Sequence, residues 1–100
     1  MNNIHKVSEI IESDVLDYVR AVDPNSNDAN TASTMLTVAK NYVAQYTGRT
    51  IEELDDYPDI VIAIFVLCQD MWDNRTLYVD SSNVNKVVES ILGLHAVNLL

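Results

Sequence analysis

Few side chains in this sequence have the type and spacing to do chemistry. His5 and His95 stand near opposite ends of the chain and share no ligand spacing. Cys68 lies inside an apolar run, neither flanked by basic residues nor at a helix start, so nothing favours a nucleophilic thiolate. Asp70 and Asp73 fall on one helix face and read as its wet edge. The run Glu52, Glu53, Asp55, Asp56 and Asp59 carries many oxygens, but an EF-hand loop needs ligands at alternate positions around a glycine, which is absent here. It reads as a solvated acidic connection that feeds two helix starts. With no glycine-rich phosphate loop and no pair of cysteines, the expectation is a chain that is not an enzyme and needs no cofactor or metal.

Contact surfaces are better represented. Trp72-Asp73-Asn74-Arg75 joins an amphipathic aromatic to an amide and a guanidinium, types enriched at interface hot spots. The same residues can close a helix, with tryptophan packing while asparagine and arginine bond to nearby backbone carbonyls. Leu94-His95-Ala96-Val97-Asn98-Leu99-Leu100 is apolar and lacks acidic, lysine or arginine side chains, whereas chain ends are usually polar and frayed. Such a tail needs a surface, either on its own domain or on a neighbouring subunit. The candidate contacts with another subunit or a partner chain are therefore Trp72, Asn74, Arg75, Leu94, Val97, Leu99 and Leu100.

These residues must be positioned by helices. Pro58 suits a first helical position and Asp59 complements the dipole there, so a helix runs from Pro58 to about Arg75. Within it, Ile60 to Cys68 are nine consecutive apolar residues, too few to span a membrane and too long a helical stretch for a strand. A helix apolar on every side is enclosed on every side, by the rest of the chain or by other subunits. Ser13 before an acidic turn predicts a helix from Asp14 to about Ala21, and Pro24 within the turn formers 23–27 ends it. Ala29, Ala32, Met35, Leu36, Ala39, Tyr42, Val43 and Tyr46 recur at helical spacing from Asp28 to Thr47, with Asn27 or Asp28 as cap and Gly48 as stop. Tyr42 and Tyr46, one turn apart, read as packing residues. Thr50 and Glu53 form a capping box for a single turn through Leu54. Ser82 or Asn83 starts a last helix carrying Val84, Val87, Val88, Ile91 and Leu92, and Gly93 ends it. Residues 1–12 receive no assignment beyond an extended segment or a short turn.

The expected fold is all-α: one domain over residues 1–100, a small bundle of about four helices around a central apolar helix, with an apolar C-terminal tail. Two glycines, two prolines and 48% apolar residues fit a packed helical chain. A lone cysteine excludes an internal disulfide framework and fits a reducing compartment, and no signal-peptide core is seen near the start. Six basic against fifteen acidic residues, a net charge of −9, disfavour nucleic acid as a ligand, because phosphate contacts need lysine and arginine.

Tyr46-Thr47-Gly48, the short acidic connection, Tyr57-Pro58-Asp59, and the helix closing on Trp72-Asp73-Asn74-Arg75 together resemble the head-tail connector family of tailed bacteriophages, also called head completion or adaptor proteins. Ser90-Ile91-Leu92-Gly93-Leu94-His95 and Asn98-Leu99-Leu100 resemble the ending of one branch of that family, and the likeness runs from about Val7 to Leu100. Trp72 departs from the tyrosine commoner there. The resemblance implies a structural virion protein at the head-tail interface, assembled in the host cytoplasm as a ring of about a dozen copies, since a repeated head-to-tail contact closes into a ring. Its implied partners are itself, the portal protein and tail or stopper proteins, with DNA passing through an acidic channel, no specific nucleic-acid binding and no membrane. Two other readings compete with it. One is an acidic DNA mimic, which requires its charges on one face. The other is a small regulatory or toxin-neutralising protein, which requires a defined heteromer.

Overall fold

A computed structural model describes residues 6–21, 25–80 and 82–97, apart from the side chain of Ser26. It is all-helical, with no strand among the described residues. A 3-10 turn, Val7–Glu9, leads into α1 (Glu12–Val19), α2 (Ser26–Thr47), the single turn α3 (Ile51–Leu54), α4 (Pro58–Asn74) and α5 (Lys86–His95). This is the expected small bundle around a central helix.

Helix α4 begins on Pro58 and closes on Arg75, which adopts the left-handed conformation at φ 55°. There the N–H groups of Arg75 and Thr76 bond to the carbonyl of Met71. The chain's own helices enclose it. Ile60, Val61, Ala63, Ile64, Phe65, Leu67, Cys68 and Met71 are all buried, packed against α1, α2 and α5. From α2 come Ala32, Met35, Leu36, Ala39 and Val43, and from α1 Val15, Leu16 and Val19. Tyr18 stacks on Phe65 with ring centroids 5.0 Å apart. The core is thus closed within one chain, and the apolar run does not by itself require neighbouring subunits to cover it.

The starts of α1, α2 and α5 differ from the sequence expectations because other side chains supply their caps, and the end of α5 differs as well. Helix α1 starts at Glu12, not Asp14, because the Asp14 carboxylate accepts the Ile11 N–H at 2.9 Å, and Ser13 sits inside the first turn. It ends at Val19 with Arg20 left-handed at φ 58°. Helix α2 is capped by Asn25 in a reciprocal box with Asp28, at 3.0 and 3.1 Å, so neither Asn27 nor Asp28 is the cap. The expected turn residues Asp23 and Pro24 lie outside the described residues. Helix α5 starts at Lys86 on Asn85, whose Oδ1 accepts the Val87 N–H at 2.8 Å. Ser82 and Asn83 bond instead to the Asp80 carboxylate, at 2.6 and 2.9 Å, and build the preceding turn, so neither starts the helix and Val84 precedes it. Gly93 does not end α5, which continues to His95 because that side chain is anchored to another helix. The expected ends at Gly48 and Leu54 are found, as is the capping box, with the Glu53 N–H donating to Thr50 Oγ1 at 3.2 Å.

Candidate functional site

The described part of the C-terminal segment folds back onto its own domain. His95 Nε2 lies 2.8 Å from both oxygens of Asp59 in the first turn of α4. Its ring stacks on Tyr57 at a centroid distance of 4.2 Å. Arg49, just past α2, donates from Nε to the His95 carbonyl at 2.6 Å and holds its guanidinium 5.1 Å from the Tyr57 ring centroid. The same Arg49 pairs with Glu53 at 3.6 Å. Beyond them the Val97 N–H donates to the Thr47 carbonyl at 2.8 Å, with the Val97 side chain over Gly48. These contacts form a clasp between the end of α5 and the α2–α4 connection. Leu99 and Leu100 lie outside the described residues.

Sequence reading missed this clasp. Its members are up to 50 residues apart in the chain, Thr47 to Val97, and a lone histidine carries no signal of the carboxylate that the fold brings to it. The acidic connection is solvated as expected at Glu52, Glu53 and Asp56, but three of its carboxylates also hold specific partners. Asp55 accepts Ser8 N–H and Oγ–H at 3.0 and 2.8 Å, Glu53 closes the α3 cap, and Asp59 holds His95. Partial burial alone would raise the Asp55 carboxyl, but the bonds from Ser8 and the charge of Lys6 outweigh it and hold the group below its ordinary range. Replacing His95 with alanine removes the side-chain bond and the stack while leaving α5 intact. The Val97 amide then exchanges roughly tenfold faster while amides in the middle of α4 keep their protection. Unchanged exchange at Val97 would mean that backbone bonding alone holds the segment.

The expected contact residues do not form one site. His95 ties Leu94 and Val97 to the start of α4, whereas Trp72, Asn74 and Arg75 stand at its other end, about 22 Å away at the helical rise. At that end Asn74 Nδ2 donates to the Asp70 carbonyl at 2.9 Å, as the sequence suggested. Arg75 instead lies over the indole of Trp72, 5.2 Å from the ring centroid, and Trp72 is half-buried against the core. The left-handed turn at Arg75 directs it back over the ring, so the motif serves mainly as a helix stop.

Three of the exposed apolar side chains, Ile62, Val87 and Leu94, stand on α4 and α5, while Ile11, Tyr46, Leu77, Tyr78 and Val97 lie elsewhere. Along α4 the least covered line is Asp59, Ile62, Val66, Gln69 and Asp73, in which Asp73 and Ile62, 45% exposed, are open and the other three half-buried. Along α5 the buried line is Val88 and Leu92, while Val87, Ile91 and Leu94 form a second apolar line beside it. Val87 is 58% and Leu94 77% exposed. Helices α4 and α5 run antiparallel, with His95 at Asp59 and Val84 near Met71, which sets the two lines level. Helix α2 covers the other flank of α5, where Glu89 lies close enough to Tyr42 to add to the rise that burial imposes on its hydroxyl pKa. The result is an apolar strip on the α4–α5 pair whose exposed members are Ile62, Val87 and Leu94, with Val66 and Ile91 half-buried against the core between them. Tyr42 and Tyr46 pack together at 6.0 Å on α2, with Tyr46 45% exposed.

Among the described residues no three His, Cys, Asp or Glu side chains gather to hold a metal ion, and no helix is long and apolar enough to cross a membrane. Comparison of the chain with protein-family models, with curated proteins and with solved structures finds no match.

Proposed function

We propose that this chain is a structural, non-enzymatic subunit of a tailed-bacteriophage head-tail connector. In this reading about a dozen copies close into a ring between portal and tail, extend the DNA channel and offer the tail a docking surface, as the sequence resemblance implies. The observation that carries the reading is the apolar strip whose exposed members are Ile62, Val87 and Leu94, on a molecule whose core is already closed. Contiguous exposed apolar surface that the core does not need marks a contact with another chain. The net charge of −9 adds a second argument, because an acidic lining repels the DNA backbone and lets it slide.

Sedimentation over a concentration series, with negative-stain images of the large species, tests the reading. The parent chain forms rings with a central hole, alone or when added to purified portal. Leu94→Asp, at a position 77% exposed, keeps the parent's helical circular dichroism but no longer assembles. A parent that stays monomeric at every concentration and fails to bind portal overturns the connector reading and moves the choice to the acidic inhibitor class. Assembly of the aspartate variant at the parent's concentration would show that the ring uses another face.

A further inference from the structure

Away from the apolar strip and the clasp, a cleft of about 260 Å³ opens between the second half of α4 and the connection leading to α5. Leu67, Met71, Val79 and Val84 give it an apolar wall. Its polar lining is biased toward acceptors. It contains Asp70 and Asp80 but no lysine, arginine or histidine. Asn74 and Asn83 each commit one side-chain N–H, to the Asp70 carbonyl and the Asp80 carboxylate, and no described residue donates to their side-chain oxygens. Asp80 is satisfied by Ser82 and Asn83. Asp70 differs from it: no described residue donates a hydrogen bond to its carboxylate, although it is half-buried. Burial first, and the neighbouring Asp73 charge second, push its pKa up. A carboxylate held in a partly desolvated cleft without a partner gains most from a cation that brings its own donors.

The geometry points to a binding site for an organic cation, a guanidinium or ammonium group on a short apolar stem, with the stem against Leu67, Met71 and Val84 and the head on Asp70 and the Asn74 oxygen. Tyr78, also lining the cleft, offers an aromatic face to the same charge. A metal ion suits the site less, because one wall is hydrocarbon and hard cations require oxygen on most sides. The cation has two possible sources, a free metabolite or an arginine or lysine side chain of a partner protein. The inference stands independently of the ring proposal.

Titration of the isotope-labelled full chain with n-butylguanidinium at fixed ionic strength, followed by amide NMR, tests it. The side-chain amides of Asn74, Asn83 and Asn85 shift saturably with millimolar affinity, as befits so small a ligand. The neutral isostere n-butylurea produces no saturable shift. Asp70→Asn, which keeps the shape and removes the charge, weakens binding about tenfold or more while leaving the parent's circular dichroism unchanged. A capped Gly-Arg-Gly peptide that binds about tenfold more tightly than n-butylguanidinium assigns the site to a partner's side chain, and equal or weaker binding assigns it to a free cation. The inference is overturned by shifts spread over the acidic surface, by the absence of saturation up to about 50 mM, or by an Asp70→Asn variant that binds as the parent does.

Discussion

Replacing Phe65 with alanine lowers the stability of the domain by about 3–5 kcal/mol. Phe65 has no exposed surface, sits next to the centre of the nine-residue apolar run, and carries Tyr18 stacked on its ring. Truncation removes the transfer free energy of a large ring and leaves a cavity that α1, α2 and α5, each fixed elsewhere, cannot collapse to fill. A domain of this size has about 5–15 kcal/mol to lose, so the variant stands near the edge of folding. Thermal unfolding should show the midpoint falling by about 15 °C or more, at roughly 4–8 °C per kcal/mol. The matching control is Ile62→Ala in the same run, where 45% exposure and the helix preference for alanine keep the change within about 0.5 kcal/mol. Equal losses at the two positions would mean that α4 is covered on all sides in solution, and the apolar strip would then be absent from the free chain.

Cys68 is expected to be chemically silent in the native chain. It has no exposed surface, and burial pushes its thiol up to about 12 from an ordinary value near 9, against a small opposing pull from Lys40. Three units of pKa correspond to about 10³ less thiolate at a given pH. At pH 8, iodoacetamide therefore modifies the folded protein at least about 10³ times more slowly than the urea-unfolded chain, a ratio that mass spectrometry reads directly. The same shift sets a direction for stability. Between about pH 9 and 12 the unfolded chain has released the thiol proton and the folded chain still holds it. Stability is therefore intact below that window and declines as pH rises through it, by up to about 1.4 kcal/mol per unit from this group. Tyrosines and lysines titrate in the same range, so the test is the difference between the parent and Cys68→Ala. The alanine curve should be the flatter of the two, and parallel curves would refute the assignment. Native and unfolded rates of modification that agree within a few-fold would show that α4 opens locally.

Much of the architecture is written in local chemistry. Pro58 with Asp59, Thr50 with Glu53, and Gly48 after a 3.6-residue periodicity each act within one turn, so their elements appear where the sequence puts them. The boundaries that moved did so because caps compete. Asp14 and Asn25 offer better-placed acceptors than Ser13 and Asp28, and a sequence records the candidates without ranking their geometry. Gly93 shows the stronger failure. Its side has nothing within 4 Å of where a Cβ would stand, so α5 can run through it, and the stop is set two residues later where His95 meets Asp59.

The amino-acid sequence by itself determined an all-α domain, its central helix and the acidity of its surface, because helical periodicity, capping and charge depend only on residues within a turn or on a simple sum. Only the tertiary structure decided which line of α4 stays open. It decided that His95 is clasped by Arg49, Tyr57 and Asp59, and that Asp70, to which no described residue donates a hydrogen bond, lines a cleft. Each of these depends on side chains from different helices meeting at distances of a few ångströms, and the sequence spacing of such residues carries no record of that meeting.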